Sequence, residues 1–358
     1  MILQKQQFAR YTSMYLSVLP WQRLSFLLII CLIFCLSDIA KAQVEVSDSL
    51  RISALLDSAM ELEAIDRKAA LQAYQQIIRE SDAAGYALGK AKALHYSAIV
   101  YSDESRYEES LKNYLEAAAV YKSIGNARGI GACYGNIGNL LLYQGKLDSA
   151  LAYYHGSIRI FEEHNISDAL SQVYGNAGAI FERLERHDKA AFYFDRALAL
   201  AEEVQDSLVI CRALTNKGTL LFGQGHYEEA IAIHRRALTL AEIIGDDYSI
   251  QNESINLADC YRATGLPEEA IRFGLKALEF SIKIGTPFDI ADIKQRLGDL
   301  YFQAADVKQA ERYYLEAIQT AEQISASELK AKTYNSLKEV YTVQGNYKKA
   351  LEYQDLAV

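Results

Sequence analysis

Histidine is the side chain best suited to bind a metal or move a proton near neutral pH, and the chain has six: His95, His155, His164, His187, His226 and His234. A zinc site on a helix needs two of them one turn apart, as in H-E-x-x-H. No such spacing occurs, and none of the six shares a helical face with a cysteine or a pair of carboxylates. Each is read as a turn or helix-surface residue. Gly125, Gly129, Gly131, Gly135 and Gly138 cluster as phosphate-binding loops do, but they match neither G-x-G-x-x-G nor a P-loop, and no strand precedes them. They read as a turn followed by helix-packing glycines. A nucleophile elbow and an activated cysteine are both missing, so the chain is expected to be a non-enzyme with no catalytic residue, metal ligand or cofactor. Asn165-Ile166-Ser167 and Asn252-Glu253-Ser254 are glycosylation triplets of a kind that arises often by chance. The remaining pattern of polar groups is a ladder: Asn136, Asn176, Asn216 and Asn256 recur every forty residues, with Arg296 next in the series. An amide both donates and accepts, so it can grip a peptide bond whatever the neighbouring side chains are.

The elements that carry this ladder follow from the same period. Small residues stand at Ala70, Ser110, Ala150, Ala190, Ala230, Ala270, Ala310 and Ala350, each forty after the last. Four residues later come Tyr74, Tyr114, Tyr154, Phe194, His234, Gly274, Tyr314 and Gln354, and seven later another run of mostly small residues. Offsets of four and seven share one helical face. Twelve residues ahead of the small residue stand Gly138, Gly178, Gly218, Ala258 and Gly298, which requires a second helix in each repeat. A mid-helix glycine costs about 0.5 to 1 kcal/mol relative to alanine, so a periodic one implies close helix packing in return. Gly145, Gly225, Gly265 and Gly345 mark the turn between the two helices, while Asp66, Asp188, Pro267 and Thr286-Pro287 suit helix starts. With three prolines and no alternating β-branched runs, the chain is expected to be all-α.

Tyr134-Gly135-Asn136-Ile137-Gly138-Asn139-Leu140-Leu141, followed by Gly145, Ala150 and Tyr154, resembles the tetratricopeptide repeat (TPR), whose signature is W-x2-L-G-x2-Y, then A-x3-F and a proline. The resemblance runs from about Ser47 to Val358. Two departures are a period of forty in place of 34 and the missing closing proline, which point to a long-helix subclass in which the six extra residues lengthen both helices at the junction between repeats. The resemblance implies a right-handed superhelical α-solenoid of antiparallel helix pairs, eight repeats in all. Residues 43–86 form a degenerate capping repeat, with Ser58 and Glu61 in the glycine and aromatic positions, and residues 87–358 form seven further repeats, the last cut short inside a helix. In the family the ladder position lies on the concave wall and can bond an extended peptide. That implication assigns Asn136, Asn176, Asn216, Asn256 and Arg296 to peptide binding, with Asn139, Arg183, Arg212, Asp259 and Arg262 beside them in the same register. The alternative for the asparagines is a bond to a neighbouring helix.

Residues 1–42 have a different character. Lys5, Arg10 and Arg23 precede an apolar run from Leu24 to Leu36, too short to span a bilayer, and Ala40 and Ala42 form an A-x-A cleavage site. A signal peptide cut after Ala42 is expected, with an uncleaved anchor as the alternative, and either sends the repeats to the periplasm or cell surface. Phe34 ahead of Cys35 is too bulky for a lipoprotein signal. Removal of residues 1–42 leaves 33 basic and 45 acidic side chains, net −12, which opposes nucleic acid as a partner. Cys133, Cys211 and Cys260 are scattered and odd in number, as expected of small buried side chains and not of a disulfide framework. The expected function is an exported scaffold for a protein or peptide ligand, without small-molecule cofactor. The alternatives are the sensory ectodomain of a longer signalling protein with a histidine kinase or transcription-regulator output and a membrane-anchored signalling partner, an enzyme with an unrecognised site, or a carbohydrate-binding envelope factor.

Overall fold

The computed structural model describes residues 47–357, so the expected signal peptide and its cleavage site at Ala40 and Ala42 lie outside the described residues. Every element among the described residues is helical. Residues 47–63 form α1. There follow α2 (Arg67–Ala84), α3 (Ala87–Asp103), α4 (Tyr107–Ser123), α5 (Ala127–Tyr143), α6 (Leu147–Glu163), α7 (Ser167–Arg183) and α8 (His187–Val204). The series continues with α9 (Ser207–Gly223), α10 (Tyr227–Ile244), α11 (Asp247–Ala263), α12 (Pro267–Ile284), α13 (Pro287–Gln303), α14 (Val307–Gln323), α15 (Ser327–Val343) and α16 (Tyr347–Leu356). From α2 onward successive helices start every twenty residues, so the forty-residue period divides into two equal halves. The length beyond 34 residues is thus shared by both helices of a pair.

The turns follow the same rule. A left-handed residue recurs every twenty positions from Gly85 to Ser325 and Gly345. The next N–H bonds back to the helix, as Lys146 does to the Leu141 carbonyl at 2.9 Å and Arg186 to that of Phe181 at 2.8 Å. Glycine suits the left-handed region because it has no Cβ. Yet Ser105, Asn165, Glu185, Gln205, Ala305 and Ser325 adopt it too, and these turns carry no glycine signal in the sequence.

By backbone contacts the chain divides into two compact units between Cys133 and Tyr134, inside α5. In the first, Ser110 is fully buried and its hydroxyl donates to the Ala98 carbonyl at 2.7 Å, linking α4 to α3. In the second, the small residues Ala150, Ala190, Ala230, Ala270 and Ala310 are fully buried where each second helix crosses its first. The periodic glycines lie under the aromatic position: a Cβ on Gly138 would sit 2.5 Å from the Tyr154 ring, on Gly178 2.6 Å from Phe194, and on Gly218 2.6 Å from His234. Gly298 lies under Tyr314 in the same way. The glycine's helix penalty is offset by a buried ring. Alternate first helices also touch, α7 with α9, α9 with α11 and α13 with α15. Second helices are bridged by long side chains instead: Arg236 reaches Glu202 at 2.7 Å, and Lys276 pairs with Glu242. First helices therefore line the tighter side of the stack in this unit.

Candidate functional site

Two clefts among the first helices of the second unit hold residues singled out from the sequence. One, of about 240 Å³, lies between α7 and α9 and brings together three residues singled out from the sequence: Asn176, Arg212 and Asn216. Its wall also includes Asp168 and Gln172. Asn176 is not wholly free, because its Nδ2 donates to Asn139 Oδ1 at 2.9 Å and that oxygen also accepts the Tyr154 hydroxyl at 2.6 Å. For this pair the neighbouring-helix alternative holds: Asn139 and Asn176 tie α5 to α7. Asn216 and Arg212 differ, since neither makes a hydrogen bond or ion pair among the described residues. Asn216 is partly buried, and its amide sits over the bare backbone of Gly175, where a Cβ would lie 3.1 Å from Nδ2.

The other cleft, of about 320 Å³, spans α11, α13 and α15 and brings together Asp259, Arg262 and Arg296. Arg296 holds Asp259 at 3.1 Å and Asp292 at 2.7 Å, while Arg262 reaches Asp259 at 3.3 Å. Arg296 to Asp259 is the same step of 37 residues as Asn176 to Asn139, a charged version of the amide tie. Asp299 accepts from the Tyr314 hydroxyl and from Gln295 Nε2, both at 2.8 Å. Burial raises the Asp299 pKa above the usual carboxylate range, although these two donors favour the charged form. Exposed Lys332 on the rim has no ion pair among the described residues. Of the other sequence candidates, Arg183 is exposed and lines neither cleft, Asn256 is partly buried and lines neither, and Asn136 is partly buried.

The expectation that all six histidines are turn or surface residues is wrong for two of them. His234 is buried under Gly218 in the aromatic position, and its Nδ1 lies 2.7 Å from Glu253 Oε2. Glu253, equally buried, also accepts the Thr215 hydroxyl at 2.6 Å. The imidazole here takes the place of a ring, and Glu253 on the following first helix satisfies its polar edge; the pair has no opening to a substrate. The signal was in the sequence, since His234 holds a position that carries Tyr or Phe in five of the eight repeats. His95 packs edge-on against Tyr96, Tyr114 and Tyr121 with its Nδ1 3.3 Å from Cys133 Sγ, and burial pushes its pKa down to about 4. The three cysteines are buried as expected, and burial pushes the thiols of Cys133 and Cys260 up to about 12 and that of Cys211 to about 11. The glycine cluster also reads as expected: Gly125 is a left-handed turn, and Gly129 and Gly138 lie under the rings of Tyr121 and Tyr154.

The tetratricopeptide repeat family model matches residues 89–163, 169–243, 209–283, 246–323 and 289–358. The chain belongs to the tetratricopeptide repeat family. Among solved structures this TPR protein is similar to a signal transduction ATPase with numerous domains and a tetratricopeptide repeat sensor from Pyrococcus horikoshii, with a TM-score of 0.67 and 20% identity over 80% of this chain and 43% of that one. Aspartyl phosphate phosphatase F from Bacillus subtilis matches at a TM-score of 0.57 and 17% identity over 80% of this TPR chain and 73% of its own. The apo quorum sensor NprR from B. thuringiensis matches at 0.53 and 13% over 86% and 97%. At such identities the likeness shows the fold, an all-α TPR solenoid. No curated protein matches the sequence.

Proposed function

We propose that this TPR protein is an exported, non-catalytic scaffold that holds a peptide or protein partner against its first helices. The observation that carries the reading is the pair Arg212 and Asn216, a guanidinium and an amide at one cleft with no intramolecular partner among the described residues. A partly buried polar group such as Asn216 is normally hydrogen-bonded, so its unused amide at an opening, with the exposed Arg212 guanidinium beside it, points to an external ligand. An extended peptide supplies N–H and C=O groups at the spacing such side chains can reach. Export rests on the basic, apolar and A-x-A segments of residues 1–42. A narrower form, a sensory module of a signalling protein, is favoured by the names of two similar structures, one with a tetratricopeptide repeat sensor and one a quorum sensor.

The test is selection of a random peptide display library on the purified chain, repeated on the double variant Arg212→Ala/Asn216→Ala. The variant is expected to bind the selected peptides about five- to a hundredfold more weakly, since each lost hydrogen bond contributes about 0.5 to 1.5 kcal/mol. Its urea melt is expected to shift by no more than about 0.5 kcal/mol per site, as for surface substitutions. Failure to select any peptide, or unchanged affinity in the variant, would overturn the reading. N-terminal sequencing of secreted material is expected to begin at Gln43; a retained Arg23 would reject cleavage.

A further inference from the structure

In the second unit, α6, α8, α10 and α14 each turn a ring onto the first helix of their pair: Tyr154, Phe194, His234 and Tyr314. The same position in α12 is Gly274, and the first helix opposite carries Ala258 where the others have glycine. Between α6 and α14 one ring is therefore missing; the terminal helix α16 has Gln354 at this position. Where the ring is a tyrosine, its hydroxyl donates to the residue fifteen positions earlier, Tyr154 to Asn139 at 2.6 Å and Tyr314 to Asp299 at 2.8 Å. Fifteen before Gly274 is Asp259, an acceptor that has lost its own donor and is held by Arg296 and Arg262 instead.

Room is left behind as well as an acceptor. A Cβ on Gly274 would lie 2.9 Å from Leu297 Cδ2, so that leucine takes part of the vacated space, and the rest belongs to the 320 Å³ cleft. Ala258, Gly274, Ala277, Leu297 and Leu300 give it an apolar wall, and Asp259 stands at its polar side. A cavity of about 150 Å³ is enough for benzene. The chemistry of the occupant follows from the repeat itself, because the neighbouring pairs show which group fits between an apolar wall and an acceptor in this register.

We infer that this cleft receives an aromatic side chain of the bound peptide, tyrosine in preference to phenylalanine, the partner supplying the ring that α12 lacks and donating its hydroxyl to Asp259. This rests on the proposed peptide-binding role and gives that role an anchor. Tyrosine suits such a place because it buries a large rigid area and still carries a polar tip.

The probes are blocked heptapeptides of alanine and serine with one central tyrosine, phenylalanine or alanine, titrated against the purified chain by ligand-observed NMR. Tyrosine is expected to bind about tenfold more tightly than phenylalanine, as a hydrogen bond to a carboxylate gives, and phenylalanine more tightly than alanine. Gly274→Tyr fills the cleft from within and is expected to erase both preferences, while Asp259→Ala erases only that of tyrosine over phenylalanine. If Gly274→Tyr alone folds poorly, Ala258→Gly/Gly274→Tyr rebuilds the glycine and tyrosine pair of the other repeats and is read the same way, with a melt to show that it is folded. Equal binding of the three peptides, ranking unchanged by the filled cleft, or library-selected binders without any heptapeptide binding would each overturn the anchor and leave the peptide-binding role standing. Absence of binders from both heptapeptides and library would overturn the two together.

Discussion

Gly178 and Phe194 show how one residue fixes the distance between two helices. A methyl group on Gly178 would lie 2.6 Å from the Phe194 ring, inside van der Waals contact. Gly178→Ala gains about 0.5 to 1 kcal/mol of helix propensity but overpacks the crossing at about 1 to 3 kcal/mol, so a net loss of about 1 kcal/mol is expected. Gly223 ends α9 with nothing within 4 Å of the place a Cβ would take, and Gly223→Ala is expected to stabilise by about 0.5 kcal/mol. Urea melts of the two variants check the opposite signs. His95 brings a pH dependence to the first unit. Burial holds its folded pKa at about 4, against about 6.5 in an unfolded chain, so below pH 6.5 the unfolded state binds a proton that the folded state refuses. Its contribution is complete above pH 6.5 and is lost as pH falls toward 4, by about 2 kcal/mol between pH 7 and 5. His95→Phe is expected to remove that part of the difference between melts at the two pH values; an equal difference in both proteins would contradict it.

At the scale of elements, the turns are more regular than the residues that make them. Among the described residues fourteen left-handed positions recur every twenty residues, and eight of them are glycine. Gly125, Gly145, Gly225, Gly265 and Gly345 are legible as turns in the sequence, whereas a left-handed Glu185 or Gln205 has no compositional mark. Such residues carry a local penalty of about 1 to 2 kcal/mol, tolerated because the helices on both sides are packed. Ala305, at φ 62°, has neither a glycine's freedom nor a polar side chain to bond the turn. Ala305→Gly is expected to stabilise the protein by about 0.5 to 1 kcal/mol, where the same change inside α13 or α14 would destabilise it. Thermal melts of Ala305→Gly beside Ala310→Gly check the contrast.

For the molecule as a whole, each helix of the second unit packs mainly on its chain neighbours, and first helices touch the next first helix. Stability in such an array is a sum of repeat and interface terms, so cooperativity is incomplete. Hydrogen exchange of the 358-residue chain is expected to be graded, with α16, which meets chiefly α15, exchanging before α9 to α13. A single global exchange rate for all slow amides, with coincident melts by every probe, would contradict this.

The sequence alone determined the helices, their pairing and their period, because a repeated face of small, aromatic and glycine residues can be buried only against the next copy of itself. It also located the polar ladder. Tertiary structure decided which members of the ladder are already used, and the reason lies 37 residues away on the preceding first helix. Asn176 meets Asn139 and Arg296 meets Asp259, while Asn216 has Ala179 at that offset, which cannot accept a hydrogen bond through its side chain. Free and occupied amides look alike along the chain; they differ only once two first helices are laid side by side. The same holds for His234, whose buried partner Glu253 belongs to the next repeat, and for Gly274, where one missing ring becomes a cleft only because α11, α13 and α15 surround it.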